Sequence, residues 1–148
     1  MMQKNRQWKV LAWVGVSVMS IGLIANSIAK VEKGETRPLT TETWMERVVK
    51  PSSKDLKKRI AAGPKTDDDW QALIEHAEIL NETSYILMED KRCPDKVWAD
   101  SASKTLRNGS AALITAAKAK DAKATEAAFK GMMKSCKECH TKHKKEHH

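Results

Sequence analysis

The sequence contains few aromatic residues other than tryptophan, and little glycine or proline. Its 148 residues include one Phe and one Tyr, against five Trp and seven Met. A core built only from protein side chains would usually carry more Phe, so the composition favours a bulky non-protein group inside the fold. Six Gly and four Pro, together with many Ala, Lys, Glu and Met, favour helices over strands. We find no strand pattern and no internal repeat.

Charged residues are absent from residues 10–29, although they are frequent elsewhere. This run follows Lys4, Arg6 and Lys9, and it contains the small residues Ser27-Ile28-Ala29 near its end. Such a run fits a cleaved signal peptide, but it is also long enough to span about 30 Å of hydrocarbon as a membrane anchor. Both interpretations predict export, because the positive charges precede the apolar run. We therefore expect residues 1–29 to be a signal peptide or anchor helix. The rest would be periplasmic, either released or held at the outer face of the inner membrane.

Residues 30–41 are polar and are predicted to be a linker. A first helix is expected from residue 41 to about residue 62, where Gly63-Pro64 would end it. Pro51 is expected to kink or interrupt this helix, because proline lacks a backbone donor and clashes with the preceding turn.

Three further helices follow. Thr66 and the three Asp residues after it have the features of a helix start, and apolar residues recur at helical spacing from Trp70 to Met88. A third helix is expected over residues 96–120, and Asp121 can cap a fourth that continues into the C-terminus. We predict an all-α fold in which residues 42–146 form an antiparallel four-helix bundle.

The most specific motif lies in the fourth helix, at Cys136-Lys137-Glu138-Cys139-His140. Two cysteines followed by a histidine at this spacing are typical of c-type haem attachment, with thioether bonds from the cysteines and iron binding by the histidine. On a helix, Cys136, Cys139 and His140 fall within an arc of about 100°. Phe129, Met132 and Met133 share that face and are expected to pack against the haem.

Other interpretations of the motif are less well supported. A zinc site could recruit Cys93 and His143, but structural zinc usually takes its second ligand pair from a distinct loop. A thioredoxin-like redox pair requires a βαβ context, which the sequence does not predict. One covalent haem c is therefore the expected cofactor.

At these residues the sequence resembles the cytochrome c-prime family and its low-spin relatives of the c556 type. The resemblance covers about residues 40–146 and rests on Trp44-Met45, on the second-helix apolar pattern and on the C-terminal haem motif. The segment 48–56 also resembles a first-helix pattern of small exported cytochromes, although Lys57-Lys58 replaces the Trp usual there. The resemblance implies that Lys144, four residues after His140, lies near a haem propionate or the proximal pocket.

The resemblance also poses the question of the sixth iron ligand. In c-prime proteins an apolar first-helix residue covers the open iron face, whereas a methionine binds there in the c556 type. Met45 is the matching residue and the expected sixth ligand, since thioether sulfur is a suitable soft ligand. Met88 is the alternative ligand, and either methionine could instead pack in the hydrophobic core without binding the iron. His76 is expected to be solvated rather than a ligand.

The predicted function is one-electron transfer by an exported monohaem cytochrome. The alternative is a five-coordinate haem that binds nitric oxide or carbon monoxide. An enzymatic activity such as a peroxidase is not expected, because no distal His/Arg pair is evident. The net charge of +8 suits acidic redox partner proteins but is too diffuse to indicate nucleic-acid binding. Cys93 is the one cysteine outside the haem motif. It is expected to be buried or to form an intermolecular disulfide, and the second alternative would give a homodimer.

Overall fold

The computed structural model describes residues 37–143, which form four helices joined by short connections. The predicted signal or anchor segment, residues 1–29, and Lys144 lie outside the described residues. Helix α1 covers residues 41–62, as the α-helical Thr41–Trp44, the π-helical Met45–Val49 and the α-helical Lys50–Ala62. Helix α2 is Asp67–Ile86. Helix α3 covers residues 96–118, as Lys96–Asp100, the π-helical Ser101–Leu106 and Arg107–Lys118, and α4 is Ala122–His143.

Residues 37–143 contain no strand, so the prediction of an all-α fold with four helices is confirmed. Within the same range no helix is both long and apolar enough to cross a membrane. The three connections contain 4, 9 and 3 residues. Short connections of this kind make consecutive helices run antiparallel.

Helix α1 passes through Pro51 without the expected interruption. Pro51 occupies the first turn of the α-helical Lys50–Ala62, where a missing donor is tolerated. The wider π-helical turn comes directly before it, and in that turn the Lys50 N–H donates to the carbonyl of Met45. The Ser52 hydroxyl then donates to the Val48 carbonyl at 2.9 Å. The helix therefore changes its hydrogen-bond register before the proline instead of breaking at it.

Helix α2 begins with a reciprocal cap. The Thr66 hydroxyl accepts from the Asp69 N–H at 3.2 Å, and the Asp69 carboxylate accepts from the Thr66 N–H at 3.0 Å. This capping box satisfies two backbone donors at the helix start. It confirms the expected boundary and fixes the register in which the α2 apolar stripe faces the core. Five stripe residues of α2 are buried: Trp70, Leu73, Ile74, Ala77 and Leu80. Leu87, directly after the helix, is buried as well.

Helices α3 and α4 pack closely where Gly109 meets Met132. A Cβ added at Gly109 would lie 2.7 Å from the Cα of Met132. Asp121 caps α4 as expected, since its carboxylate accepts from the Ala124 N–H at 2.9 Å. Leu113, Ala117 and Met132 complete this part of the core, and each is fully buried.

Candidate functional site

A small apolar cavity of about 60 Å3 lies among the four helices and is partly open to solvent. Each helix contributes to the wall. The lining residues are Met45, Val49 and Ser53 of α1; Leu80 and Thr83 of α2; Leu87, which follows α2; Trp98, Ser101, Ala102 and Leu106 of α3; and Met132, Met133, Ser135, Cys136, Cys139 and His140 of α4.

Both π-helical segments border this cavity. Met45 and Val49 are the first and last residues of one segment, and Ser101, Ala102 and Leu106 belong to the other. A π-turn inserts one residue and re-aims the side chains next to it, which is why such turns are frequent at functional sites. Neither segment was predicted from the sequence, in which Pro51 is the only nearby signal for the first.

The haem motif forms one wall of the cavity. Cys136 and Cys139 are half-buried, and His140 is exposed. All three residues line the cavity. All three cysteines of the chain are free thiols. Burial raises the pKa of both Cys136 and Cys139, and for Cys139 the charge of nearby Asp95 raises the pKa further. Both thiols are therefore held in the neutral form at neutral pH.

The C-terminal end of α4 is tied to the start of α3 through Asp95. This carboxylate caps α3 by accepting from the Trp98 N–H at 3.0 Å. It also pairs with Lys142 at 2.6 Å and with His143 Nε2 at 3.3 Å. The hydrogen bond from Lys142, followed by that from the Trp98 N–H, lowers the pKa of Asp95 to about 2. The haem motif is thus held in place from its C-terminal side.

Trp98 links the contacts of Asp95 to the cavity, which its side chain lines. Its ring lies edge-on to His143, with centroids 5.4 Å apart, and its indole N–H donates to the Leu87 carbonyl at 2.7 Å. The Cys93 thiol donates weakly to the Asp95 carbonyl at 3.5 Å. The role of Asp95 was not predicted from the sequence. A residue that precedes a helix and can cap it was the available signal.

The two candidate methionine ligands lie in different places. Met45 is half-buried and lines the cavity. Met88 packs against the core from outside and does not line the cavity. Trp44 helps to fix the helix beside Met45, because its indole N–H donates to the Thr83 hydroxyl at 3.1 Å. The structure therefore brings Met45, and not Met88, to the same cavity as the haem motif.

The expected packing residues also differ in placement. Met132 is fully buried and lines the cavity, whereas Phe129 is buried in the core and does not line it. Met133, the third residue expected on this face, also lines the cavity. His76, expected to be solvated, is partly buried and its Nε2 lies 2.9 Å from the carboxylate of Asp55, away from the cavity.

The donor set fits a haem better than it fits zinc or a thioredoxin-like pair. Across residues 37–143 no three His, Cys, Asp or Glu side chains are grouped to hold a metal ion, and the same range lacks the strands of a βαβ unit. A haem brings its own four nitrogen ligands and needs from the protein two thiols, one imidazole and an apolar interior. All of these are present on the cavity wall.

The fold and the site define a four-helix protein of the c-type haem class. Residues 45–144, about two thirds of the chain, match the family model described as cytochrome C'. The chain therefore belongs to the cytochrome c' family and is a haem c-binding cytochrome. No curated protein and no solved structure matches the chain significantly.

Proposed function

We propose that this chain is an exported monohaem electron carrier, with Cys136 and Cys139 holding the haem and His140 and Met45 as the axial iron ligands. The observation that carries the proposal is the placement of Met45. It faces the same cavity as the haem motif, but from α1 rather than from α4.

The attachment residues have the placement that the chemistry needs. Each thioether would form when a cysteine S–H adds across a haem vinyl group, and Cys136 and Cys139 are free thiols that line the cavity. A bound haem would supply one-electron redox chemistry at its iron. The role of the chain is to hold the imidazole of His140 at the cavity wall and to exclude water with the apolar residues around it.

Met45 is the side chain that decides between the two candidate functions. Thioether sulfur is a soft ligand that stabilises reduced iron, and His/Met ligation raises the reduction potential. A saturated pair of axial ligands also leaves no open position for a gas. The Met45 side chain is half-buried where it lines the cavity.

Gas binding is the second candidate, and the placement of Val49 favours it. Val49 lines the cavity one helical turn after Met45. If Val49 and the Met45 side chain only cover the iron, the sixth position stays open under apolar groups. Such a site would bind nitric oxide or carbon monoxide without a polar distal partner.

The surface beside the motif suits an acidic redox partner. Lys134 and Lys137 flank Cys136 and are exposed, and Lys130 lies one turn earlier on the same helix. Positive charge beside the cofactor speeds encounter with a negatively charged protein surface, and salt screens this effect. We propose that electrons pass through this region to or from such a partner outside the cytoplasm.

Optical spectra of the purified protein test the axial ligand. The ferric protein is expected to show the weak long-wavelength absorption band that marks an iron–thioether bond, and Met45→Ala is expected to abolish it. Met88→Ala is the matched control and should retain the band. High-spin ferric bands with rapid carbon monoxide uptake by the reduced wild type would instead support gas binding and contradict electron transfer.

A further inference from the structure

A buried guanidinium lies at one end of the bundle and contacts the chain just before α1. Arg92 belongs to the connection between α2 and α3, and its side chain is 4% exposed. Its Nη2 donates to the Leu39 carbonyl at 2.7 Å and to the Arg37 carbonyl at 3.4 Å. Its Nη1 donates to the Thr41 hydroxyl at 3.1 Å. One side chain from the α2–α3 connection thus binds three residues of a single segment, residues 37–41.

Asp90 balances the charge of this contact. Its side chain is 1% exposed, and its carboxylate lies 3.4 Å from Arg37 and 4.0 Å from Arg92. The backbone of Asp90 and Lys91 is left-handed, with φ values of 53° and 59°. This conformation is uncommon for residues other than glycine, although Asp tolerates it better than most. The turn places Asp90 and Arg92 against residues 37–41.

A short chain of contacts leads from Arg92 to the cavity. Thr41 is the first residue of α1, and its carbonyl accepts from the N–H of Met45. Met45 in turn begins the π-helical segment and lines the cavity. The same N–H is shared with the Glu42 carbonyl, so a displacement of Thr41 changes one of the two hydrogen bonds that hold the backbone of Met45.

We propose that Arg92 is a positioning residue that fixes Met45 over the cavity by clasping residues 37–41. The inference rests on the proposed function in one respect, which is that a haem occupies this cavity. A buried charge contributes little net stability compared with apolar packing. A forked guanidinium with several fixed acceptors on one segment instead provides geometric precision. The site benefits from that precision, because a ligand or cover over the iron must be held at a defined distance.

Three variants of the haem-loaded protein test the clasp. Arg92→Lys keeps the charge but loses the fork, and Thr41→Val removes one acceptor with little change of shape. Arg107→Lys is the matched control. Arg107 also donates to a side-chain hydroxyl and a backbone carbonyl, both of Ser84, at the α2–α3 interface rather than at α1. The two measurements are amide hydrogen exchange of residues 41–49 and the rate at which carbon monoxide binds the reduced protein.

Arg92→Lys is expected to speed the exchange of residues 41–49 by about tenfold, since hydrogen bonds from a charged donor are lost. It is also expected to speed carbon monoxide binding several-fold, because Met45 is less well held whether it ligates or covers the iron. Thr41→Val should give a smaller effect of the same kind. Arg107→Lys should leave both quantities near the wild-type values.

Two results would overturn the proposal. In one, Arg92→Lys leaves both quantities unchanged or matches Arg107→Lys. In the other, exchange is faster but carbon monoxide binding is not, so that Arg92 only stabilises the fold. The ferric spectrum of Met45→Ala shows independently whether Met45 binds the iron. A wrong ligand assignment is therefore distinguished from a failure of the Arg92 proposal.

Discussion

Gly109 of α3 lies directly against Met132 of α4, so that a Cβ at residue 109 would be 2.7 Å from the Met132 Cα. No relaxation of a flexible side chain can relieve this contact, because the atom met is backbone. Met132 is fully buried and lines the cavity. The absence of a side chain at Gly109 therefore sets both the separation of α3 and α4 and the position of one cavity wall.

Gly109→Ala is predicted to destabilise the protein by about 1–3 kcal/mol, since overpacking forces the two helices apart. Urea denaturation followed by circular dichroism measures the effect. Gly131→Ala is the matched control, because a Cβ there meets nothing within 4 Å. This control should raise the stability by about 0.5–1 kcal/mol through lower chain entropy in the unfolded state. Equal effects of the two substitutions would contradict the close contact.

Thr83 anchors α1 to α2 through the indole N–H of Trp44. Thr83→Val preserves the shape of this fully buried side chain but leaves the Trp44 donor without its acceptor. We expect a loss of about 1 kcal/mol in the free energy of unfolding, measured by urea denaturation.

The control for this substitution is Thr115→Val. The Thr115 hydroxyl is exposed and donates only to the Ala111 carbonyl of its own helix. Its replacement should change stability by less than about 0.5 kcal/mol. If Thr83→Val behaves in the same way, the Trp44 hydrogen bond does not hold the two helices together.

Asp95 gives the stability a defined dependence on acid. Its pKa is lowered from the usual 3.8 to about 2 in the folded protein, chiefly by the hydrogen bond from Lys142. A group whose pKa is depressed by folding stabilises the fold above its unfolded pKa, and this contribution is lost as the pH falls through the folded pKa. The free energy of unfolding should therefore fall between about pH 4 and pH 2.

Asp95→Asn can still accept the Trp98 N–H but carries no charge, so its stability should fall less steeply in this window. Lys142→Met removes the first cause of the lowered pKa while leaving the carboxylate, and it should also flatten the curve. Acid titration of the unfolding midpoint measures both. Parallel curves for the wild type and the two variants would show that Asp95 is not coupled to folding.

Local chemistry was sufficient to predict where the helices begin and end. Thr66, Asp121 and Gly63 act through groups within a few residues of themselves, so their effects can be read from neighbouring residues. The register of the haem motif on α4 was predictable for the same reason. It needs only the helical period.

The features that depend on contacts between distant segments could not be predicted in this way. The π-helical turns, the placement of Met88 and Phe129 away from the cavity, and the clasp of Arg92 on residues 37–41 all arise from packing between helices. Pro51 illustrates the limit. Its local chemistry indicates a break, but the preceding π-turn changes the hydrogen-bond register and the helix continues.

The proposed function requires one haem attached through Cys136 and Cys139. Mass spectrometry of proteolytic fragments from the purified protein measures this attachment. We predict one covalently bound haem on the fragment that contains residues 136–140. The double variant Cys136→Ser, Cys139→Ser should carry no covalent haem, and the control Cys93→Ser should keep it. Unmodified thiols at Cys136 and Cys139, in protein made by cells that attach haem to exported cytochromes, would rule out a covalent haem at this motif.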